Sequence, residues 1–286
     1  MSLIRFGKIS RVIQAFGAFT ACIGGVAGAA ALHAPHWAAQ RLPTPGPSDS
    51  IGRYAAGCLR GARALPAVGP GYRVVRRHRH RYFGHQSLLD FIRALGRQSL
   101  AQRLGTLLVA DLSQPRGGPT PHGHRSHQNG LDVDIWFAFR EELGAHELTR
   151  LDAADIAPPS VLSQGGRGLE PRRWNVRKVS LLRLAAEDPR VDRIFVNPVI
   201  KRALCAQSSP SPWLRKLRPW WGHADHLHVR LRCAQSERRC ERSEPIPPGN
   251  GCDASLAWWF SAEAQAGGGG EPPLPLPRAC AAVLQE

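Results

Sequence analysis

His226 and His228 lie in the run Trp221-Gly222-His223-Ala224-Asp225-His226-Leu227-His228-Val229-Arg230-Leu231, where an extended backbone puts both imidazoles on one side and Leu227, Val229 and Leu231 on the other. Side chains alternate across a strand, so the apolar set can enter a core while His226, His228 and Arg230 line a cleft. Leu131-Asp132-Val133-Asp134-Ile135-Trp136 repeats the pattern, with Leu131, Val133 and Ile135 on one face and Asp132 and Asp134 on the other. If the two strands are neighbours, Asp134 and His228 converge, and His127, seven residues before Asp134 across Gly130, can swing in from the preceding loop. Two imidazoles and one carboxylate form the donor set of a catalytic zinc site that leaves a coordination position open for water.

Six of the twelve histidines, His122, His124, His127, His223, His226 and His228, fall in two short windows beside these strands. His226 shares the face of His228 but is displaced along it, which suits a general base that takes a proton from the attacking water and passes it to the leaving amine. His223 can stabilise a developing oxyanion if its ring is held in a donor form. Asp225 or Asp132 can orient the rings as acceptors, although solvent exposure or turn capping accounts for them equally well. His124, three residues before His127, is either a fourth ligand or a group lining the cleft. As a ligand it would have to be displaced, or the coordination expanded, for water or substrate to enter. His33, His36, His78, His80 and His146 are read as ordinary surface or packed residues, and His85 beside Gly84 is left open.

The elements that must position these groups are a mixture. Ser87 can cap a helix whose apolar positions Leu88, Phe91, Ile92 and Leu95 follow a 3.6-residue period. Thr106 to Ala110 reads as a short strand, and Pro115 to Pro119 forces a loop towards His122, His124 and His127. Residues 140–173 look like a surface excursion with one short helix. A helix with the stripe Val179, Leu182 and Ala186 is expected over Trp174 to Glu187, then a strand over Val191 to Val196 and a short helix from Asn197-Pro198 to Cys205. No regular βαβ rhythm is present, so the fold class is α+β: a single domain with a small, largely antiparallel sheet carrying the zinc site.

At 286 residues the chain has ample length for one core. Residues 1–34 carry Arg5, Lys8 and Arg11 before an acid-free Ala/Gly-rich apolar stretch, which reads as a cleaved secretory signal, with an uncleaved anchor as the alternative. Phe19-Thr20-Ala21-Cys22 falls short of a lipid-attachment signal, because Phe19 stands where an aliphatic residue is expected. Residues 35–50, with the run Pro43 to Ser50, are expected to be a linker, and order is expected to begin near Ile51 or Cys58, so that the folded domain spans 51–286. No other stretch is long and apolar enough to span a bilayer, and no stable membrane span is expected after signal cleavage. Cys58, Cys205, Cys233, Cys240, Cys252 and Cys280 form an even set that argues for three disulfides in an exported chain, and none of the fifteen pairings is preferred by the spacing alone. They also tie down a Pro/Gly-rich tail from Ser243 to Arg278. The formal charge of +16 would concentrate polyanions near the surface, or reflects an Arg-rich composition and nothing more. No helix-turn-helix, finger or RNA-recognition signature is visible, so no nucleic-acid partner is expected.

At these residues the chain resembles the penicillin-insensitive murein endopeptidases, within the wider group of zinc peptidases that includes D-Ala-D-Ala metallopeptidases and lysostaphin-like enzymes. The wider group is marked by His-x6-Asp and His-x-His, here His127 to Asp134 and His226 to His228. The closer likeness runs through Tyr82-Phe83-Gly84-His85, Ser126 to Ile135, Arg193-Ile194-Phe195-Val196-Asn197-Pro198 and His226 to Cys233. It implies cleavage of the D-alanyl to meso-diaminopimelyl cross-link of peptidoglycan in the periplasm, with His127, Asp134 and His228 as zinc ligands, His124 as an additional one, and His223 and His226 as catalytic residues. It also implies the disulfides Cys58 to Cys280, Cys205 to Cys252 and Cys233 to Cys240. Some members hold a second, peripheral zinc by an Asp and a His, for which the stretch near Gln164-Gly165-Gly166-Arg167 has no counterpart, so one zinc ion is expected. No Ser-x-x-Lys occurs anywhere, in keeping with penicillin insensitivity. The alternatives are a DD-carboxypeptidase of the same group, a non-catalytic zinc-bearing wall-binding module, and a histidine-rich zinc store. His226 beside a full ligand set argues against the module, and ordered strand parity argues against the store.

Overall fold

The computed structural model describes residues 34–153, 157–207, 211–266 and 274–286, so the segment read as a signal lies, but for Ala34, outside the described residues. A helical turn α1 (Ala34–Ala38) leads into a hairpin of β1 (Asp49–Arg53) and β2 (Ala56–Arg60). The stretch expected to be a linker is therefore packed. Trp37 is fully buried in a cluster with Ile51, Cys58, Cys280 and Val283. Its indole lies over Gly118, whose φ of +74° and missing side chain admit it, because a Cβ there would fall inside the ring. Burying one indole removes enough apolar surface to order a short Pro-rich stretch that has no periodicity of its own.

The chain continues through β3 (Arg63–Ala64), β4 (Val68–Gly69), β5 (Tyr72–Val74) and β6 (Phe83–Gly84) to helix α2 (Gln86–Ala101). The cap of α2 is His85, not Ser87: its Nδ1 accepts from the Ser87 amide at 3.1 Å. Leu88, Phe91, Ile92 and Leu95 are all buried, as their period requires. Then come β7 (Leu107–Val109), β8 (Asp132–Phe139), α3 (Ala145–Ala153), α4 (Val176–Glu187), β9 (Val191–Val196), α5 (Pro198–Gln207), β10 (Leu217–Pro219) and β11 (His226–Leu231). Helix α4, capped by Asn175, buries Leu181, Leu182, Ala185 and Ala186, so its inner face is turned slightly from the expected stripe and Val179 is only partly covered. The tail forms α6 (Ala254–Trp258), α7 (Ala262–Gln265) and α8 (Ala279–Gln285). Among the described residues no helix is long and apolar enough to cross a membrane.

Seven strands make one sheet in the order β10-β9-β11-β8-β7-β5-β4, antiparallel at every pairing except β10 with β9 and β5 with β7. The fold is α+β with a largely antiparallel sheet. One face of β8 and β11 supplies Val133, Ile135, Phe137, Leu227, Val229 and Leu231 to a core shared with α2 and α4. The three disulfides are Cys58–Cys280, Cys205–Cys252 and Cys233–Cys240, the pairing the resemblance implies.

Cys205 on α5 and Cys252 before α6 hold the tail beside Lys201, a fully buried lysine whose Nζ donates to the carbonyls of Leu214 and Asn250, each at 2.6 Å. Burial, with Arg218 nearby, pulls this amine down from 10.5 to about 8. A folded value below the unfolded one means that the ammonium destabilises the fold below pH 8, and that this cost is relieved as pH rises from about 8 to 10.5. Urea midpoints measured across that window should show the unsubstituted chain gaining on Lys201→Met by up to about 3 kcal/mol. Parallel profiles for the two proteins would contradict this assignment.

Candidate metal centre

Strands β8 and β11 lie side by side with His228 opposite Asp134 and Arg230 opposite Asp132. Strand parity thus sends both apolar sets into the core and sets two carboxylates against one imidazole on the other face. That face is drier than the alternation implies. Every residue of β8 is buried, with Asp132 at 0% and Asp134 at 2% exposure. Buried carboxylates need charged or hydrogen-bonding partners, and both have them. Arg230 grips Asp132 with two parallel hydrogen bonds of 2.9 and 3.0 Å, and the Asp132 Oδ2 also accepts from the His127 amide. Solvent exposure and turn capping, the other readings of Asp132, are thereby set aside.

Asp134 is ringed by imidazoles. Its Oδ1 lies 3.1 Å from His228 Nδ1, 3.4 Å from His127 Nε2 and 3.7 Å from His226 Nε2, while its Oδ2 lies 3.4 Å from His124 Nδ1. His127 reaches this point from the loop before β8 with φ of +67°. The neighbouring Gln128 anchors the loop through Nε2 to the carbonyls of Ala55 and Arg125, both at 2.9 Å. His223 adopts φ of +49° directly after Gly222 at +66°. A left-handed backbone at a non-glycine residue persists only where its surroundings hold it, and such positions gather at functional sites.

The donor set fits a metal ion on two counts. Among the described residues, both ring nitrogens of His127 and Asp134 Oδ1 are buried without a hydrogen-bond partner, although such groups are normally satisfied. The ligand atoms of His124, His127 and Asp134 all lie within 4.8 Å of one another. Ligands about 2.0–2.1 Å from a tetrahedral ion stand about 3.3 Å apart, close to the separations around Asp134. His228 brings its Nδ1 to the same carboxylate oxygen while its Nε2 lies 3.4 Å from Asp132.

The electrostatics call for a cation. Burial alone would raise the Asp134 carboxyl, but His127, His226 and His124 outweigh it and hold it well below the usual range. Burial pushes His228 down, yet Asp132 and Asp134 overcome that and lift it to about 9. His127, the most enclosed ring, is held below its ordinary value by burial, in the neutral form that ligates metals. His226 is raised, because Asp134 and the 2.5 Å contact of its Nδ1 with Asp225 outweigh desolvation. His223 is depressed to about 3 by burial and by the neighbouring His226 and His228. Its Nδ1 donates to the Trp221 carbonyl at 2.8 Å, so the neutral ring keeps an unprotonated Nε2. The resting His223 is therefore not in the donor form that oxyanion stabilisation requires.

Two other histidines stand apart. His122 is exposed, and the ring of His85 binds Ser87 and Glu237. Sequence reasoning overlooked Asp111. This buried residue follows β7, and its Oδ2 accepts from His124 Nε2 at 2.9 Å, Arg79 at 2.9 Å and Arg81 at 3.2 Å. Burial would raise its carboxyl, but His124, Arg81 and Arg79 bring it down to about 2. The available signal was a lone acid at the end of the apolar run Thr106 to Ala110, with the basic run Arg76 to Arg81 in the same chain. Phe195 on β9 packs edge-on to His228 with ring centroids 5.3 Å apart.

An imidazole–carboxylate group able to hold a metal ion, at the polar face of such a sheet, suits a hydrolase. A profile described as penicillin-insensitive murein endopeptidase matches residues 50–285. A protein of that description from Klebsiella pneumoniae subsp. pneumoniae is 42% identical over 270 residues, covering 91% of this chain and 95% of the relative. Those of Salmonella paratyphi C and Salmonella typhi are each 43% identical over 265 residues, covering 90% of this chain and 93% of the relative. The chain belongs to the penicillin-insensitive murein endopeptidase family.

Asp111 fixes which nitrogen of His124 is free to face Asp134, and loss of such an outer acceptor weakens metal binding 10- to 100-fold in known sites. Calorimetric titration of Zn2+ into metal-stripped Asp111→Asn should give an affinity at least about tenfold weaker than in the unsubstituted chain. Equal affinities would place His124 outside the ligand set.

Proposed function

We propose that this protein is a zinc-dependent murein DD-endopeptidase that hydrolyses the D-alanyl to meso-diaminopimelyl cross-link of peptidoglycan in the periplasm. The observation that carries the reading is the convergence of His127, His228 and His226 on one Asp134 oxygen within 3.1–3.7 Å. His127, Asp134 and His228 would hold a single zinc ion, with His124 as an additional ligand. Bound there, zinc would polarise the scissile carbonyl and make water a stronger acid.

The remaining chemistry falls to the chain's own residues. Asp225 accepts from His226 Nδ1, which leaves Nε2 to take the proton of the attacking water and deliver it to the departing amine. Asp132, clamped by Arg230, orients His228 from behind. His223, whose ring centroid lies 4.9 Å from that of His226, is neutral at rest. Negative charge growing on the carbonyl oxygen favours the protonated ring, so His223 would take up a proton from solvent on Nε2 and hydrogen-bond the oxyanion through it as the transition state forms. Family membership and the relatives' printed descriptions support a murein substrate. Such a substrate lies outside the cytoplasm, in line with the basic and then apolar composition of residues 1–34.

Purified cross-linked muropeptide dimers provide the test. Monomers should appear with the intact protein, vanish on chelation, return with Zn2+ and persist in the presence of penicillin. His226→Ala should lower kcat by about 10²- to 10⁴-fold while the protein still binds zinc. Cleavage that survives chelation would overturn the reading, and a folded, zinc-loaded protein that releases no monomer would indicate a wall-binding module instead.

A further inference from the structure

A cleft of about 630 Å³ is lined by Arg167, Asn197, Arg202, Trp221, Trp259 and Phe260 together with Gly165, Gly166 and Gly222, the residue directly before His223. It is continuous with the catalytic groups through the backbone. Asn197 donates its amide N–H to the His223 carbonyl at 3.0 Å and its side-chain Nδ2 to the Gly222 carbonyl at 2.9 Å, so one wall of the cleft and the mount of His223 are a single unit. A Cβ added at Gly165, Gly166 or Gly222 would meet nothing within 4 Å, so these backbones border open space.

The lining is cationic and aromatic. Among the described residues that form it, two are arginines and none is acidic. Arg202 is exposed, and its guanidinium lies 3.9 Å from the centroid of the Phe260 ring. Among the described residues it donates one hydrogen bond, from Nη2 to the Arg167 carbonyl at 3.0 Å, and its fork presents five N–H groups in all. Stacking on the ring and this one bond hold the planar fork ready for a carboxylate. The tail supplies Phe260 and Trp259 to the lining: Trp259 packs against Trp221 at 4.4 Å between centroids, and Trp258 packs against both. The tail is fixed to the helix that carries Arg202 by Cys205–Cys252.

We propose that this cleft is a carboxylate-binding subsite in which Arg202 receives the free carboxylate of the diaminopimelyl residue whose amine the reaction releases. The proposal rests on the murein reading. In that cross-link the scissile nitrogen is attached to a carbon that bears a free carboxylate, so the anion sits within a few bonds of the reacting carbonyl. Arg202 is then the side chain that tells this linkage from an amide lacking the negative charge.

Two cross-linked dimers that differ only at this position, carboxylate against primary amide, test the idea with the zinc-loaded protein. The carboxylate dimer should show a KM about tenfold lower than the amide dimer, with kcat within about twofold. Arg202→Gln should remove the difference by raising KM for the carboxylate dimer alone, and Arg202→Lys should restore part of it. A second readout does not depend on turnover: titration with the uncross-linked tetrapeptide product should change tryptophan fluorescence through Trp221 and Trp259, with a Kd about tenfold weaker in Arg202→Gln. Cleavage of both dimers with equal KM, before and after substitution, would overturn the subsite and leave the endopeptidase reading intact. Product binding that depends on Arg202 without cleavage of either dimer would uphold the subsite and overturn the endopeptidase reading.

Discussion

A carboxylate buried in the middle of a fully covered strand must be compensated, and Asp134 is the point from which the rest of this molecule can be understood. The antiparallel register that sets His228 opposite Asp134 also sets Arg230 opposite Asp132, so two acidic residues of one strand receive one imidazole and one guanidinium from the next. A slip of one residue would carry the whole polar set into the apolar core. The core beneath α2 and α4 therefore does more than hold the sheet together. By burying Val133, Ile135, Leu227 and Val229 it selects the one register in which the charges on the other face are matched.

Around that pair the chain repeats one device. Three imidazoles near Asp134 have a carboxylate at their other ring nitrogen: Asp111 behind His124, Asp132 behind His228 and Asp225 beside His226. Two of these carboxylates are steadied in turn by arginine, Asp111 by Arg79 and Arg81 and Asp132 by Arg230. The result is an alternation of negative and positive groups outward from the centre. It fixes which ring nitrogen points inward without relying on solvent. Among the described residues His127 has no such acceptor, and it is aimed instead by its left-handed backbone and by the hydrogen bond of its amide to Asp132.

What the sequence made legible follows from period and parity. The strands over Val191–Val196 and His226–Leu231, the inner face of α2 and the meeting of Asp134 with His228 all rest on side-chain alternation, which short windows encode. Partners set by long-range pairing were less visible. Asp111 becomes part of the site only because β7 lies beside β8, where its carbonyl accepts from the Asp134 amide at 3.0 Å. Trp37 and the tryptophans at 220–221 and 258–259 lie in short helical turns or loops that carry no periodicity, and nothing local shows which of them will meet. The six cysteines could not choose their partners by spacing, and the choice came from likeness to a family.

The buried amine of Lys201 has a bearing on what counts as the enzyme. One of its two carbonyl partners, Asn250, belongs to the Pro/Gly-rich tail, and the last helix of that tail gives its Val283 and Leu284 carbonyls to Arg116 in the loop that leads to the histidines. Losing the chain from Asn250 onward would leave the Lys201 ammonium the Leu214 carbonyl alone of these two partners, whereas a clip ahead of Asn250 would leave the tail tethered by Cys205–Cys252 and Cys58–Cys280. The helix that carries Arg202 therefore leans on the plain-looking C-terminal tail, through a buried amine on one side and a disulfide on the other.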